Sequence, residues 1–315
     1  MRLRTALVYR ASGARSGTLA RDILFWRAIE LDAPDVRDAV SRISRLPTLP
    51  TVLGQIMEAI ADPDASALDL GKHIAADQSL SATLLRQVNS AFYGFYRRIT
   101  TVKDAIVILG FREVQNLVLA ASAFRSFAKS TSPYDRNQLW RHSLATAMAA
   151  ERISKRLSLE ADGSHFSAGL LHDIGKVALD SVYPDNFQEA VKRAVDSRRP
   201  LYEVEPEIFG MDHAEVGGVL GEHWNLPPLL TEALRRHHTP DQAMLSPQLA
   251  HVTALANYLA YVAGYGESSN VGEHAYPMSS AMALKMDPGK FQDIIQELQQ
   301  ANERIDAMLG AVSAA

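Results

Sequence analysis

Gly169-Leu170-Leu171-His172-Asp173-Ile174-Gly175-Lys176 places a His-Asp pair inside an otherwise apolar run. Ionisable groups at such a place need a partner, either a metal ion or each other, because burying them unpaired is costly. Other histidines stand around this pair in order. Upstream is Trp140-Arg141-His142-Ser143; downstream come Asp212-His213-Ala214-Glu215 and then His237-His238. Taken singly, a histidine on a helix is more often a surface or hydrogen-bonded core residue than a ligand. The ordered set points further. Imidazole and carboxylate are the ligands that divalent transition metals accept without thiolate. An Asp next to a His can bridge two ions while the His binds one, and two ions about 3.5–4 Å apart activate water against a phosphate ester. Lys176, one turn after His172, is expected on the same helix face, where it would steady an anionic substrate.

The surroundings of these residues read as helix. Leu53, Ile56, Met57 and Ile60 recur at i, i+3, i+4, i+7, preceded by Pro47 and Pro50 and ended by Asp62-Pro63. Ser66 with Asp69 opens a helix from about Ala67 to Ala76, and Asp77 caps another in which Leu80, Leu84 and Val88 line one face. The aromatics Phe92, Tyr93, Phe95 and Tyr96 around Gly94 are expected to pack under neighbouring helices. A helix starts near Thr101 and stops at Gly110; an apolar helix then runs from Phe111 to Phe127. Lys129-Ser-Thr-Ser-Pro133 breaks the chain. A second helical block follows, from about Arg136 to Ala263, then a Gly- and Ser-containing loop from Gly264 to Ser280 and an amphipathic helix from about Gly289 to Leu309. Alternating strand patterns are nearly absent, so an all-α class is expected.

Composition narrows the function. The 315 residues are 47% hydrophobic and 22% charged, with net charge −4 and no cysteine. Such a chain does not coat nucleic acid or anionic membrane, and it has no disulfide, zinc ribbon or thiol nucleophile; a reducing cytoplasm is the expected compartment. No run reaches the roughly 18 apolar residues of a membrane helix. Residues 1–40 form an extension whose start is Arg-rich (Arg2, Arg4, Arg10, Arg15, Arg21, Arg27), taken as a basic leader and not as a nucleic-acid tail.

The two blocks together resemble an HDOD domain, the HD-related output domain of bacterial signalling proteins within the HD phosphohydrolase superfamily. The resemblance is carried by Leu46-Pro-Thr-Leu-Pro50, Asp77-Gln-Ser-Leu-Ser81, Leu85, Asn89-Ser90-Ala91-Phe92, Ile99-Thr100 and Ala105-Ile106-Val-Ile-Leu109-Gly110 in the first block. In the second it is carried by Trp140, His142, the 169–176 stretch, Asp212-His213-Ala-Glu-Val-Gly217, Trp224, Leu226-Pro227 and His237-His238. It implies a two-lobed helical bundle over 41–262, with lobes at 41–130 and 134–262, followed by 263–315 as loop and helix. It also implies a metal site. One ion would take His142, His172, Asp173 and a later Asp, whose place Asn257 fills; the second would take Asp173, His213, His237 and His238. Gln138 stands where some relatives that bind extra metal place a Glu, and the Gly-Tyr-Pro loop of cyclic di-GMP-cleaving relatives is missing after His238.

An amide carbonyl in place of a carboxylate weakens binding of a hard dication, so the first position is compromised. The expected cofactors are one or two divalent ions (Fe, Mn, Ni or Zn). The expected role is a non-catalytic regulatory module with a degenerate site, for which signalling proteins are the partners and a nucleotide second messenger is a candidate ligand. A partner segment would enter an apolar groove between the blocks, with Trp140, Trp224 and Phe92 to Tyr96 as candidate contacts. The C-terminal helix would pack on its own domain or, in the alternative, pair two copies as a homodimer. The competing function is a metal-dependent phosphohydrolase acting on a nucleotide or cyclic dinucleotide, with Lys176 at its active site.

Overall fold

The computed structural model describes residues 71–119 with breaks at 73, 76, 90–94, 112 and 115, then 134–159, 163–266 and 275–313. The leader, the stripe at 53–60, the Ser66 cap, Phe92, Tyr93, the break at 129–133 and most of the helix expected to reach Phe127 lie outside the described residues. The described residues contain helices and no strand, so the all-α class holds. None of these helices is long and apolar enough to cross a membrane.

In the first block, α1 (Gln78–Val88) is opened by Asp77, whose carboxylate accepts the Leu80 N–H at 2.9 Å. Leu80, Leu84 and Val88 bury one face of it. Thr101 caps α2 (Val102–Leu109) by accepting from the Asp104 N–H, and Gly110 ends it at φ 85°, a conformation that suits glycine. Asn89 ties the two together. Its amide donates to Ile99 O at 2.7 Å and to Leu85 O at 2.6 Å, while its carbonyl accepts from Ile99 N at 2.8 Å. One side chain thus satisfies the backbone of a residue ten positions on. Phe95 and Tyr96 do not pack under these helices; both are exposed.

The second block is built around α3 (Arg136–Arg156), which is buried over nearly its whole circumference between His142 and Ala150. Ala145, Ala147, Ala149 and Ala150 keep it thin enough for neighbours on several sides. It packs against α4 (Ser164–Leu171) and α10 (Pro247–Val262). Between α4 and α10 run α5 (Ile174–Val182), α6 (Pro184–Ser197), α7 (Leu201–Phe209), α8 (His213–His223) and α9 (Pro228–Arg236). Helix α5 packs on α8, and α8 on α9. Two glycines make these approaches. A Cβ on Gly169 would lie 2.7 Å from Ala147 Cα in α3, and one on Gly175 would lie 1.9 Å from His213 O in α8. Trp140 and Trp224 are core residues and not surface contacts.

The C-terminal region departs from expectation. A short helix, α11 (Met278–Ala283), begins inside the segment read as loop. The single helix expected over 289–309 is two, α12 (Gln292–Gln300) and α13 (Asn302–Ser313), broken at Ala301. The apolar stripe Ile294, Leu298, Ile305, Met308 continues through the break, so periodicity alone does not reveal it. The break lets α12 lie on α3 and α10 while α13 lies on both α1 and α3. Arg304 pairs with Glu113 and Arg141 with Asp306. Among the described residues, the chain's own C-terminal helix therefore covers ground where the two blocks meet.

Two outcomes are expected. Gly175→Ala drives a side-chain carbon into backbone and costs about 3 kcal/mol or more, read as a lowered Tm. Glu232 accepts the N–H groups of Met244, Leu245 and Ser246, each at 2.7 Å, and pins the loop leading into α10. Burial pushes its carboxyl up, but these three donors outweigh that and hold it below 4.5. Its contribution is thus present above the ordinary glutamate range and lost as pH falls through the lowered value. The Tm deficit of Glu232→Gln should be full at pH 7 and shrink in acid below pH 4.5.

Candidate metal centre

Helix termini supply most of the site. His172 closes α4 and Asp173 opens α5, so the His-Asp pair forms the joint between two helices. His213 is the first residue of α8, capped by Asp212, and His237 closes α9 with His238 next. His142 comes from the second turn of α3 and Asn257 from α10. The five imidazoles form a continuous series of ring contacts, 5.2 Å between centroids for His142 and His172, 5.0 Å for His172 and His237, and 4.0 Å for His237 and His238.

Asp173 lies between two sets of them. Its Oδ2 faces His172 Nε2 at 3.2 Å and His142 Nε2 at 3.8 Å; its Oδ1 faces His213 Nε2 at 3.1 Å and His237 Nε2 at 3.7 Å. Two groups, His142–His172–Asp173 and His213–His237–His238, each bring their ligand atoms within 4.8 Å of one another. Every ring but His238 is anchored through Nδ1: His142 to Tyr265 O at 2.9 Å, His172 to Gly169 O at 2.8 Å, His237 to Leu234 O at 2.7 Å and His213 to Glu205 Oε2 at 2.6 Å. Because carbonyls and carboxylates only accept, these nitrogens carry the proton and Nε2 is left to the centre, the arrangement that metal ligands require. His237 Nε2 and Asn257 Oδ1 are buried without a hydrogen-bond partner. With its proton on Nδ1, His237 presents Nε2 as an acceptor, as Asn257 presents its carbonyl. A cation would complete them, and the donor set fits a divalent ion.

Without an ion the centre balances its own charge. Lys176, 1% exposed, places Nζ 2.8 Å from Asp173 Oδ2. It belongs to α5, not to the helix of His172, and its ammonium is spent on Asp173 instead of facing a substrate. Burial would raise the Asp173 carboxyl, but His172 and Lys176 hold it well below the usual range. Burial would lower His213, yet the Glu205 carboxylate and Asp173 drive it up to about 10. Two anions thus face two cations. His237 and His238 are pushed below the ordinary imidazole value, first by burial and then by neighbouring rings. His238 points Nε2 at His213 Nε2, 2.9 Å away, and stacks on Tyr202 at 4.0 Å.

A cavity of about 410 Å³ opens over the centre, lined by His237, His238, Asn257, Tyr202, Tyr258 and Asp241 among others. Gln138 is exposed on α3 and lines a different cavity with Arg141 and Tyr265.

Residues 46–240 match the HDOD domain. The chain belongs to the HDOD family. An HDOD domain protein of unknown function from Geobacter sulfurreducens has the same fold, with TM-score 0.75 at 23% identity over 90% of this chain and 99% of that one. A protein of Marinobacter aquaeolei VT8, provisionally named for signal transduction, gives 0.76 at 24% identity over 90% of this chain and 66% of its own. One of Shewanella amazonensis SB2B, provisionally named a phosphohydrolase, gives 0.69 at 21% identity over 87% and 97%. An uncharacterized protein of Treponema pallidum (strain Nichols) is 30% identical over 235 residues, 73% of this chain but 45% of the relative. The chain therefore spans less than half the length of that curated relative.

The HDOD site contains one residue that motif reading misses. Glu205 is fully buried on α7, and its Oε2 accepts both the backbone N–H (2.8 Å) and Nδ1–H of His213. Its signal was present: an acid inside the apolar stripe Leu201, Val204, Ile208, Phe209, eight residues before a candidate ligand.

The raised His213 imidazolium contributes stability that is full below pH 6.5 and lost as pH rises toward about 10. Histidine NMR should find His213 protonated through pH 8. In Glu205→Gln its titration should move to lower pH, and the alkaline loss of Tm should flatten. An unchanged titration would contradict the role given to Glu205.

Proposed function

We propose that this HDOD chain is a regulatory module of bacterial signalling whose centre holds one divalent ion and does not turn over phosphodiesters. The observation that carries this is the contrast between the two ligand positions. Asp173 Oδ1, His213, His237 and His238 would hold the ion at the second position, with Glu205 as an anion behind His213. The first position has the neutral Asn257 where an acid would complete it, and the oxygen it shares already carries the Lys176 ammonium. A bound ion would supply a local positive charge able to polarise an oxygen ligand; a single ion lacks the partner that two-ion water activation uses. The signalling role is also supported by the family and by the Marinobacter likeness in fold.

The competing function, a metal-dependent phosphohydrolase, is favoured by one observation: all donors except Asn257 match a two-ion set around a bridging carboxylate. Elemental analysis after loading with Mn, Fe or Ni decides between them. One ion per chain and no hydrolysis of bis-p-nitrophenyl phosphate are expected, with Asn257→Asp raising the content toward two. Two tightly held ions with turnover in the unmodified chain would establish the enzyme instead.

A further inference from the structure

His142 differs from the other anchored ligands in where its anchor comes from. His172 and His237 use carbonyls three residues back on their own helices, and His213 uses Glu205 on the helix just before its own. His142 uses Tyr265 O, 123 residues away. Tyr265 lies just past the end of α10, after Gly264 at φ 97°, and is held at three points. Its N–H donates to Ala260 O at 3.0 Å, its carbonyl accepts from His142, and its hydroxyl reaches Leu298 O at 2.7 Å and Asn302 Oδ1 at 3.0 Å. Leu298 is on α12 and Asn302 opens α13. Arg141, next to His142, also donates to Asn302 Oδ1, at 3.0 Å. A cavity of about 380 Å³ lined by Gln138, Arg141, Tyr265, Gln299 and Asn302 lies beside this junction.

We propose that Tyr265 is a positioning residue through which the α12–α13 pair sets His142, and with it the first ligand position alone. Anything that shifts α13 from α1 and α3 then alters one half of the centre and leaves the other intact. This deepens the metal reading above and names a regulation of the same site.

The test uses the full chain in two arms. In the metal-free protein, histidine side-chain NMR follows His142 with His237 as internal control. Tyr265→Phe, which removes only the hydroxyl, and Asn302→Ala, which removes the longer of its two acceptors together with the Arg141 contact, should both shift or broaden His142, the first more than the second, and leave His237 unchanged. In the Asn257→Asp background, calorimetric titration with Ni²⁺ should show two ions, and adding Tyr265→Phe should weaken one of them about 10-fold without moving the other. If Asn257→Asp binds one ion, the first-position assignment fails while the NMR arm still decides the coupling. A His142 signal indifferent to both substitutions, or equal changes at His142 and His237, overturns the proposal.

Discussion

The second block is arranged around one buried carboxylate. Asp173 is buried, so its oxygens must be answered from inside the protein, and five helices deliver the answer: α3, α4, α5, α8 and α9. Deleting a partner of a buried ion pair generally costs about 3–5 kcal/mol because the remaining charge is stranded. That constraint explains why α4 and α5 meet at a two-residue joint instead of running on as one helix. The joint aims both His172 and Asp173 inward, and glycines on either side let α3 and α8 come close enough to complete the set.

The same carboxylate also organises the electrostatics. Lys176 and the His213 imidazolium stand as counter-charges to Asp173 and Glu205. An ion entering at the second position must displace the proton on His213 Nε2. Ion affinity is therefore tied to proton activity through this ring.

Much of this was legible in the sequence, and what was not has physical causes. Helix starts at Asp77 and Thr101 follow from capping chemistry that acts within three residues, and the histidine order survives because ligands cluster wherever the chain runs. Glu205 escaped because its partner is eight residues off in sequence and on another helix. Lys176 was placed on the helix of His172 because the break after Leu171 leaves no local signal; on α5 it meets Asp173 three residues before it. The bend at Ala301 is invisible to periodicity when both halves keep the same apolar stripe, and the exposure of Phe95 and Tyr96 contradicts their apolar character.

His172 and His237 share a feature beyond ligation. Each is the capping residue just past the end of its helix, and each ring bonds a carbonyl of the helix's last turn. The bond that finishes the helix also orients the imidazole. These two donors thus carry their own alignment with them, independent of any neighbour. Loss of another side chain from the centre would therefore leave these two rings oriented as they are, since the helix end alone holds each one.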